Sequence, residues 1–339
     1  MITAWWFNNV QTESDVLQPD FFVPKTHFRI DAKFAGEEAP TEIRIAAYLD
    51  GEVEFEKSYV EGFTIHIAEG ISILSLTDFT ESLHKNPERL LITIHTDNET
   101  HTSDIECTYV TLSGQITDFE GKPFQAMVAF NRNDFEAIPT GLGVWSDAHG
   151  RYSITLPAGA YNSIVVTDNT IWKTSLEGWC WRMTLDQDET HDFKIGNGEV
   201  YSLNAWTDNG GIPNLFIFFR PMVLPHLKAD NYDVENSMKN GDYNIEINGN
   251  HFSVADIAPE LEPSHLRVTI NGNNLDILSI QKIYETSASG GVSMPAYIVQ
   301  TPRINKGDKQ TLIVEYDTGK FKSQGRMQFY YNSLGLMLI

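Results

Sequence analysis

Tryptophans and carboxylates crowd one stretch of this 339-residue chain, and their types and spacing frame the chemistry open to it. Trp145 precedes the group, Trp172, Trp179 and Trp181 follow within a few residues of one another, and Trp206 comes shortly after. Trp179 and Trp181 are two apart, so on a strand they share a face. Indoles on one face can form a platform for sugar rings, while each keeps an N–H that needs an acceptor. Glu177, Asp186, Asp188 and Glu199 lie among them and offer acceptors for hydroxyl groups. The structural alternative is that these rings fill a small core or a domain interface, which is what aromatics in small sandwiches usually do.

The acids allow a second reading. Glu177 paired with Asp186 or with Glu199 could act as acid and base in glycoside or proton-transfer chemistry, where the carboxylate separation decides the outcome. Arg220, set in the apolar run FIFFRPM, must either reach solvent or meet a carboxylate. Glu199 and Glu177 are its candidate partners. If the chain is an enzyme, Glu177, Glu199 and Arg220 are therefore its expected catalytic residues. The ligand-binding set is Trp145, Trp172, Trp179, Trp181, Trp206 and Asp186.

Other chemistries are poorly served. GxSxG, P-loop and Rossmann GxGxxG patterns are missing, and so is HExxH. Asp186, Asp188, Glu189 and Asp192 cluster in one loop, and Asp97, Glu99 and Asp104 in another. Oxygen ligands so grouped suit Ca2+, but neither loop has the EF-hand spacing, and a solvated acidic turn is the plainer reading. His95 and His101 flank one turn and could face each other across a hairpin. No cofactor and no metal are expected. Cys107 and Cys180 are the only cysteines, so no disulfide framework or cysteine zinc site can form.

Composition narrows the partners. The net charge of −22 repels phosphate backbones and anionic lipid, which disfavours nucleic acid and bare membrane surfaces. No stretch has the length of a membrane span. The opening MITAWWFNNVQTESDVLQPD lacks a basic region, an apolar core and a cleavage site, so it does not read as a secretory signal. This points to a chain made in the cytoplasm, with a surface or virion component as the alternative. Carbohydrate, small molecule or protein remain as partners.

The elements that must position these residues are strands. FRIDAKF and GFTIHIAEG alternate apolar and polar residues. EIRIAAYLDGEVEFEKSYV is a hairpin about Asp50-Gly51, and RLLITIHTDNETHTSDIECTYVTL a second one. ITAWWFNN is an edge strand or an interdomain plug. Near the other end, Asn248-Gly249 and Asn271-Gly272 punctuate further alternating runs. Residues 1–110 and 229–339 thus read as immunoglobulin-like sandwiches, with LKADNYDVENSMKNGD as a linker or exposed connection before the latter. The whole is an all-β chain of three consecutive antiparallel β-sandwich domains.

The middle third, 111–228, has its own pattern. Gly114-x-Ile116 is followed by Asp118 and Gly121-Lys122-Pro123. Then come Asp147-x-x-Gly150-x-Tyr152 and Leu156-Pro157-x-Gly159-x-Tyr161. Over residues 112–200 this resembles the carboxypeptidase regulatory-like (prealbumin-like) domain. The resemblance implies a transthyretin-like sandwich that serves as a spacer, adhesion unit or scaffold and is not itself a peptidase. The stretch from Trp172 to Arg220 is an extension that the module does not require. The sequence therefore favours a non-catalytic binding or structural protein that presents this Trp- and acid-lined surface. A cofactor-free enzyme of cyclase, isomerase or glycoside hydrolase type is the runner-up. An architectural spacer in a surface or phage-type assembly is the third reading.

Overall fold

The computed structural model describes residues 2–8, 26–32, 40–61, 63–68, 71–76, 83, 85–131, 143–168, 175–207, 214–223, 234–286, 291–304, 307–332 and 335–337. Trp172 lies outside the described residues, as do the side chains of Trp5 and Trp6. The fold is all-β, its sheets mostly antiparallel with a few parallel pairings, and among the described residues one short α-helix, Val234–Asn240, stands where the sequence suggested a linker.

The first eight strands are β1 (Ile2–Asn8), β2 (Thr26–Ala32), β3 (Glu42–Leu49), β4 (Glu52–Tyr59), β5 (Phe63–Ala68), β6 (Ile71–Leu76), β7 (Arg89–His95) and β8 (Thr100–Glu106). They form the sheets β1-β2-β6-β5 and β4-β3-β7-β8, with β1 at an edge. Ile30 of β2 packs with Ile43, Ile45 and Ala47 of β3 and with Leu90, Ile92 and Ile94 of β7. The β3–β4 turn is Asp50-Gly51, with φ of 52° and 80°, the left-handed pair that a tight two-residue hairpin demands. Asn248-Gly249 and Asn271-Gly272 repeat this chemistry. His95 pairs with Thr100 and His101 with Ile94, so the two histidines alternate in register and do not face each other.

The next eight strands are β9 (Tyr109–Thr117), β10 (Met127–Asn131), β11 (Gly143–Trp145), β12 (Arg151–Pro157), β13 (Gly159–Thr167), β14 (Gly178–Leu185), β15 (Glu189–Thr190) and β16 (Phe193–Lys194). β12, β9, β15 and β16 face β11-β10-β13-β14 across a core of Leu112, Ile154, Tyr161, Ile164, Cys180 and Met183, among others. Gly114 lets the chain at His191 cross closely, since a Cβ there would stand 2.0 Å from the His191 carbonyl oxygen.

The remaining strands are β17 (Gly198–Thr207), β18 (Asn214–Val223), β19 (Tyr243–Ile247), β20 (Asn250–Val254), β21 (Leu266–Ile270), β22 (Asn273–Leu275), β23 (Ser279–Glu285), β24 (Met294–Pro302), β25 (Gly307–Asp317), β26 (Lys322–Asn332) and β27 (Gly335–Met337). Here strands from before residue 229 join strands from after it. β17 and β18 join β24 and β23 in one sheet, and Val200, Leu203, Leu215, Ile217 and Phe219 share a core with Val268, Val299, Val314 and Phe329. β17 and β18 are therefore one wall of the last sandwich. The physical reason is burial: the apolar face of β18 needs an opposing sheet, and the last sandwich supplies it.

The second and third cores are also joined. β14 pairs in parallel with β26, Trp179 opposite Gly325 and Trp181 opposite Met327, so one sheet runs from β11 through to β22. Gly325 makes room for β17 at this seam: a Cβ on it would meet Val200 Cγ1 at 2.4 Å and Cβ at 2.7 Å. Gly325→Ala is expected to cost about 1–3 kcal/mol by overpacking, read as a lower midpoint of thermal unfolding with the secondary-structure signal retained.

Candidate functional site

The candidate site grows out of that seam. On β14, Cys180, Met183 and Leu185 enter the second core while Trp179 and Trp181 turn to the other face. Arg182 sits between Trp181 and Met183 with a φ of 54°. The core-facing residues change parity there, from Cys180 to Met183, as they do on β13 from Ile164 to Tyr161. On β17 a second left-handed residue, Ser202 (φ 56°), accompanies a bulge between Tyr201 and Asn204. Val200, Leu203 and Ala205 enter the third core. Left-handed backbone at a residue with a Cβ is sparsely populated and concentrates at functional sites. These two flank the aromatic group.

Trp179 and Trp181 stack at 4.8 Å with planes 7° apart, and the Tyr201 ring meets both edge-on at 5.1 and 5.3 Å. Trp179 also packs on Met127, Ala129 and Val165, the outer face of the second sandwich, together with Trp145. Trp181 packs against the third core. The pair is thus a wedge between sandwiches, with part of its surface open.

Glu199 is 1% exposed. Its Oε1 accepts the Trp179 indole N–H at 2.6 Å, and its Oε2 is buried as well. Burial lifts its pKa well above the usual carboxylate range. The neighbouring Glu177, within side-chain hydrogen-bonding reach, lifts it further, and the Trp179 N–H and Arg220 pull the other way. A proton on one of the two acids makes the hydrogen bond that two anions cannot.

Arg220 stands opposite Tyr201 in the β17–β18 ladder, on the outward face of its strand. Its guanidinium lies 5.3 Å from the centre of the Tyr201 ring and binds Glu285 through Nε (2.7 Å) and Nη2 (2.5 Å). Glu285 is therefore a hydrogen-bonded partner of Arg220 that the sequence did not offer, while Glu199 feels the guanidinium through space. Glu285 is 65 residues away on β23, and no local pattern in the sequence points to it.

The same ladder extends the site. Residues paired directly across two strands share a face, so Tyr201/Arg220, Asn204/Phe218 and Trp206/Phe216 form one row. From Arg220 to Phe216 the row runs about 13 Å, at roughly 3.3 Å per residue. Trp206 is 36% exposed and stacks on Phe216 at 5.6 Å. Arg182 donates to Asn204 Oδ1 at 3.2 Å and ties the β14 kink to the row. Tyr201, Asn204, Phe216 and Phe218 were not singled out in the sequence. The spacing of Glu199 and Tyr201, two apart on a strand, is the signal that could have found them.

Asp186 departs from the expected set. It is exposed and pairs with Lys309 of β25 at 3.2 Å, in a separate network in which Glu189 binds His191 and Lys309 while Arg326 meets His191. The acids of this loop are taken up by protein donors. Asp188 caps the Thr111 N–H at 2.7 Å and Asp192 the Gln115 N–H at 2.9 Å. No three His, Cys, Asp or Glu side chains converge as a metal site among the described residues.

No protein-family model matches this chain, and no curated protein matches it in sequence. Among solved structures, a protein of Bacteroides uniformis described as carbohydrate binding is 9% identical, with a TM-score of 0.22 over 65% of this chain and 97% of its own. Extracellular domains 3–5 of Drosophila OTK are 9% identical (TM-score 0.16, covering 85% and 86%). The Bacillus anthracis TIE protein is 12% identical (TM-score 0.20, covering 95% and 72%). Likenesses this slight carry no argument about the chain.

Proposed function

We propose that this chain is a non-catalytic binding protein that takes an extended carbohydrate along the outer face of β17 and β18. The observation that carries this reading is the row from Trp179 and Trp181 through Tyr201 and Arg220 to the Trp206–Phe216 stack. Aromatic surface suits the C–H faces of sugar rings, and the polar groups between (Glu177, Asn204, Arg220) suit their hydroxyls. The sandwiches on either side act as the rigid support for an open site. The resemblance of residues 112–200 to a scaffolding module agrees with that role.

A glycan array probed with the labelled full chain tests the proposal. Binding is expected to a set of neutral oligosaccharides and to fall at least tenfold in Trp206→Ala, whose exposed ring adds little to stability. Uniform absence of carbohydrate binding, with capture of a protein ligand instead, contradicts the carbohydrate reading.

One observation favours a second reading. The buried Glu199, its pKa raised by burial and by Glu177 beside it, is the arrangement of an acid with an adjacent base. On this reading the chain is a cofactor-free enzyme of glycoside hydrolase, isomerase or cyclase type, with Glu199 as proton donor and Glu177 as acceptor. Product analysis after prolonged incubation with the bound saccharide separates the two: unchanged ligand supports the binder, and turnover lost in Glu177→Gln supports the enzyme.

A further inference from the structure

A second concave site is lined by residues other than those of the aromatic row. It is a cleft of about 330 Å³ between the two sandwiches, at the small end of the volumes that hold ligands. Phe119, Lys194, Arg267, Glu315, Asp317 and Lys322 line it, with His265 at one end. In a chain of net charge −22 this lining is cation-rich, with three Lys or Arg side chains against two carboxylates.

The cations are held loosely. Lys194 is 3.8 Å from Glu315 and 5.8 Å from the centre of the Phe119 ring. Arg267 spends one N–H on Asn274 (3.1 Å) and one on Glu315 (3.2 Å), which leaves three of the five guanidinium donors for a guest. Lys322 reaches Glu120 at 3.1 Å and Asp317 at 3.8 Å. Exposed pairs of this kind are worth roughly 0–1 kcal/mol, so a guest anion can replace them at little cost. His265 accepts the Glu262 N–H through Nδ1 at 3.2 Å, so in the neutral ring the proton sits on Nε2 as a further donor. Glu315 is already committed to Arg267, Lys194 and the Gln324 amide. Phe119 supplies the apolar surface against which a ring would lie.

We propose that this cleft binds a small ring-bearing carboxylate of the sugar-acid kind, its carboxylate held by Arg267 and Lys322 and its ring against Phe119. Isothermal calorimetry of the full chain at low ionic strength, with D-glucuronate and D-glucose as probes, tests it. Glucuronate is expected to bind and glucose to give no measurable heat. The doubly substituted Arg267→Ala, Lys322→Ala chain should bind glucuronate at least tenfold more weakly, and Trp206→Ala should bind it as wild type does. Lys194→Gln, at a side chain 45% exposed, gives the same direction of change should the double variant unfold. Equal heats for the two sugars, or glucuronate binding that moves with Trp206 and not with the cleft variants, overturns the proposal. Because the Trp206 variant reads the aromatic row and the cation variants read the cleft, failure of one site leaves the other still tested.

Discussion

Trp179→Ala is expected to destabilise the protein by an amount near the lower end of the roughly 3–5 kcal/mol seen when a large aromatic is cut back to alanine. The half-buried ring fills the angle between two sandwiches: it stacks on Trp181, meets the edge of Tyr201 and covers Met127, Ala129 and Val165. Its removal also leaves Glu199 Oε1 without its indole donor, and a buried acceptor left unmet costs about 1–3 kcal/mol. The two losses share one cavity and will not simply add. Urea unfolding followed by circular dichroism measures the effect. Trp206→Ala is the matched control, since its more exposed ring gives up chiefly the stack on Phe216, and the same measurement should move by about 1 kcal/mol. A Trp179→Ala loss as small as that of Trp206→Ala would remove the wedge from the account.

Glu199→Gln is expected to do the opposite and stabilise the protein at neutral pH. Burial, reinforced by Glu177, raises the folded-state pKa of Glu199 above the ordinary 4.5. The folded chain therefore holds its proton more tightly than the unfolded chain does. The stability this provides is fully present below about pH 4.5 and is lost as pH rises through the raised folded value. Above that value the site carries a buried anion beside a second carboxylate. Glutamine keeps an oxygen to accept the Trp179 N–H and offers Glu177 an N–H in place of the proton. The gain at pH 7 should be about 1–3 kcal/mol, the scale of one buried polar group left unsatisfied. It should shrink toward zero near pH 4.5. Thermal unfolding of wild type and Glu199→Gln between pH 4.5 and 8 gives both slopes. A variant less stable than wild type at pH 8 contradicts the protonated pair.

Much of the fold is legible in the sequence because its signals are local. Alternation on β7 and β18 and the Asp-Gly and Asn-Gly turns need only neighbouring residues to be read. What joins the sandwiches is not local. The β14–β26 pairing links residues about 145 positions apart, and Gly325 gives no sign by itself that Val200 will sit against it. The place of β17 and β18 has the same origin: only their choice of partner, β24, puts them in the last core. At the site, Trp179, Trp181, Glu177, Glu199 and Arg220 stand out by type and spacing, and the fold brings them together. Asp186 stood out equally and went elsewhere, because Lys309, contributed by a distant strand, holds it.

The central claim is that the β17–β18 face is an extended site and not one isolated ring. Calorimetric titration with a saccharide series of increasing length, chosen from the array's strongest binder, tests it most directly. The account predicts affinity that rises over the first several sugar units and then levels, with Trp206→Ala removing the gain from the added units. A monosaccharide that binds as tightly as the longest member, with no change in Trp206→Ala, would contradict it.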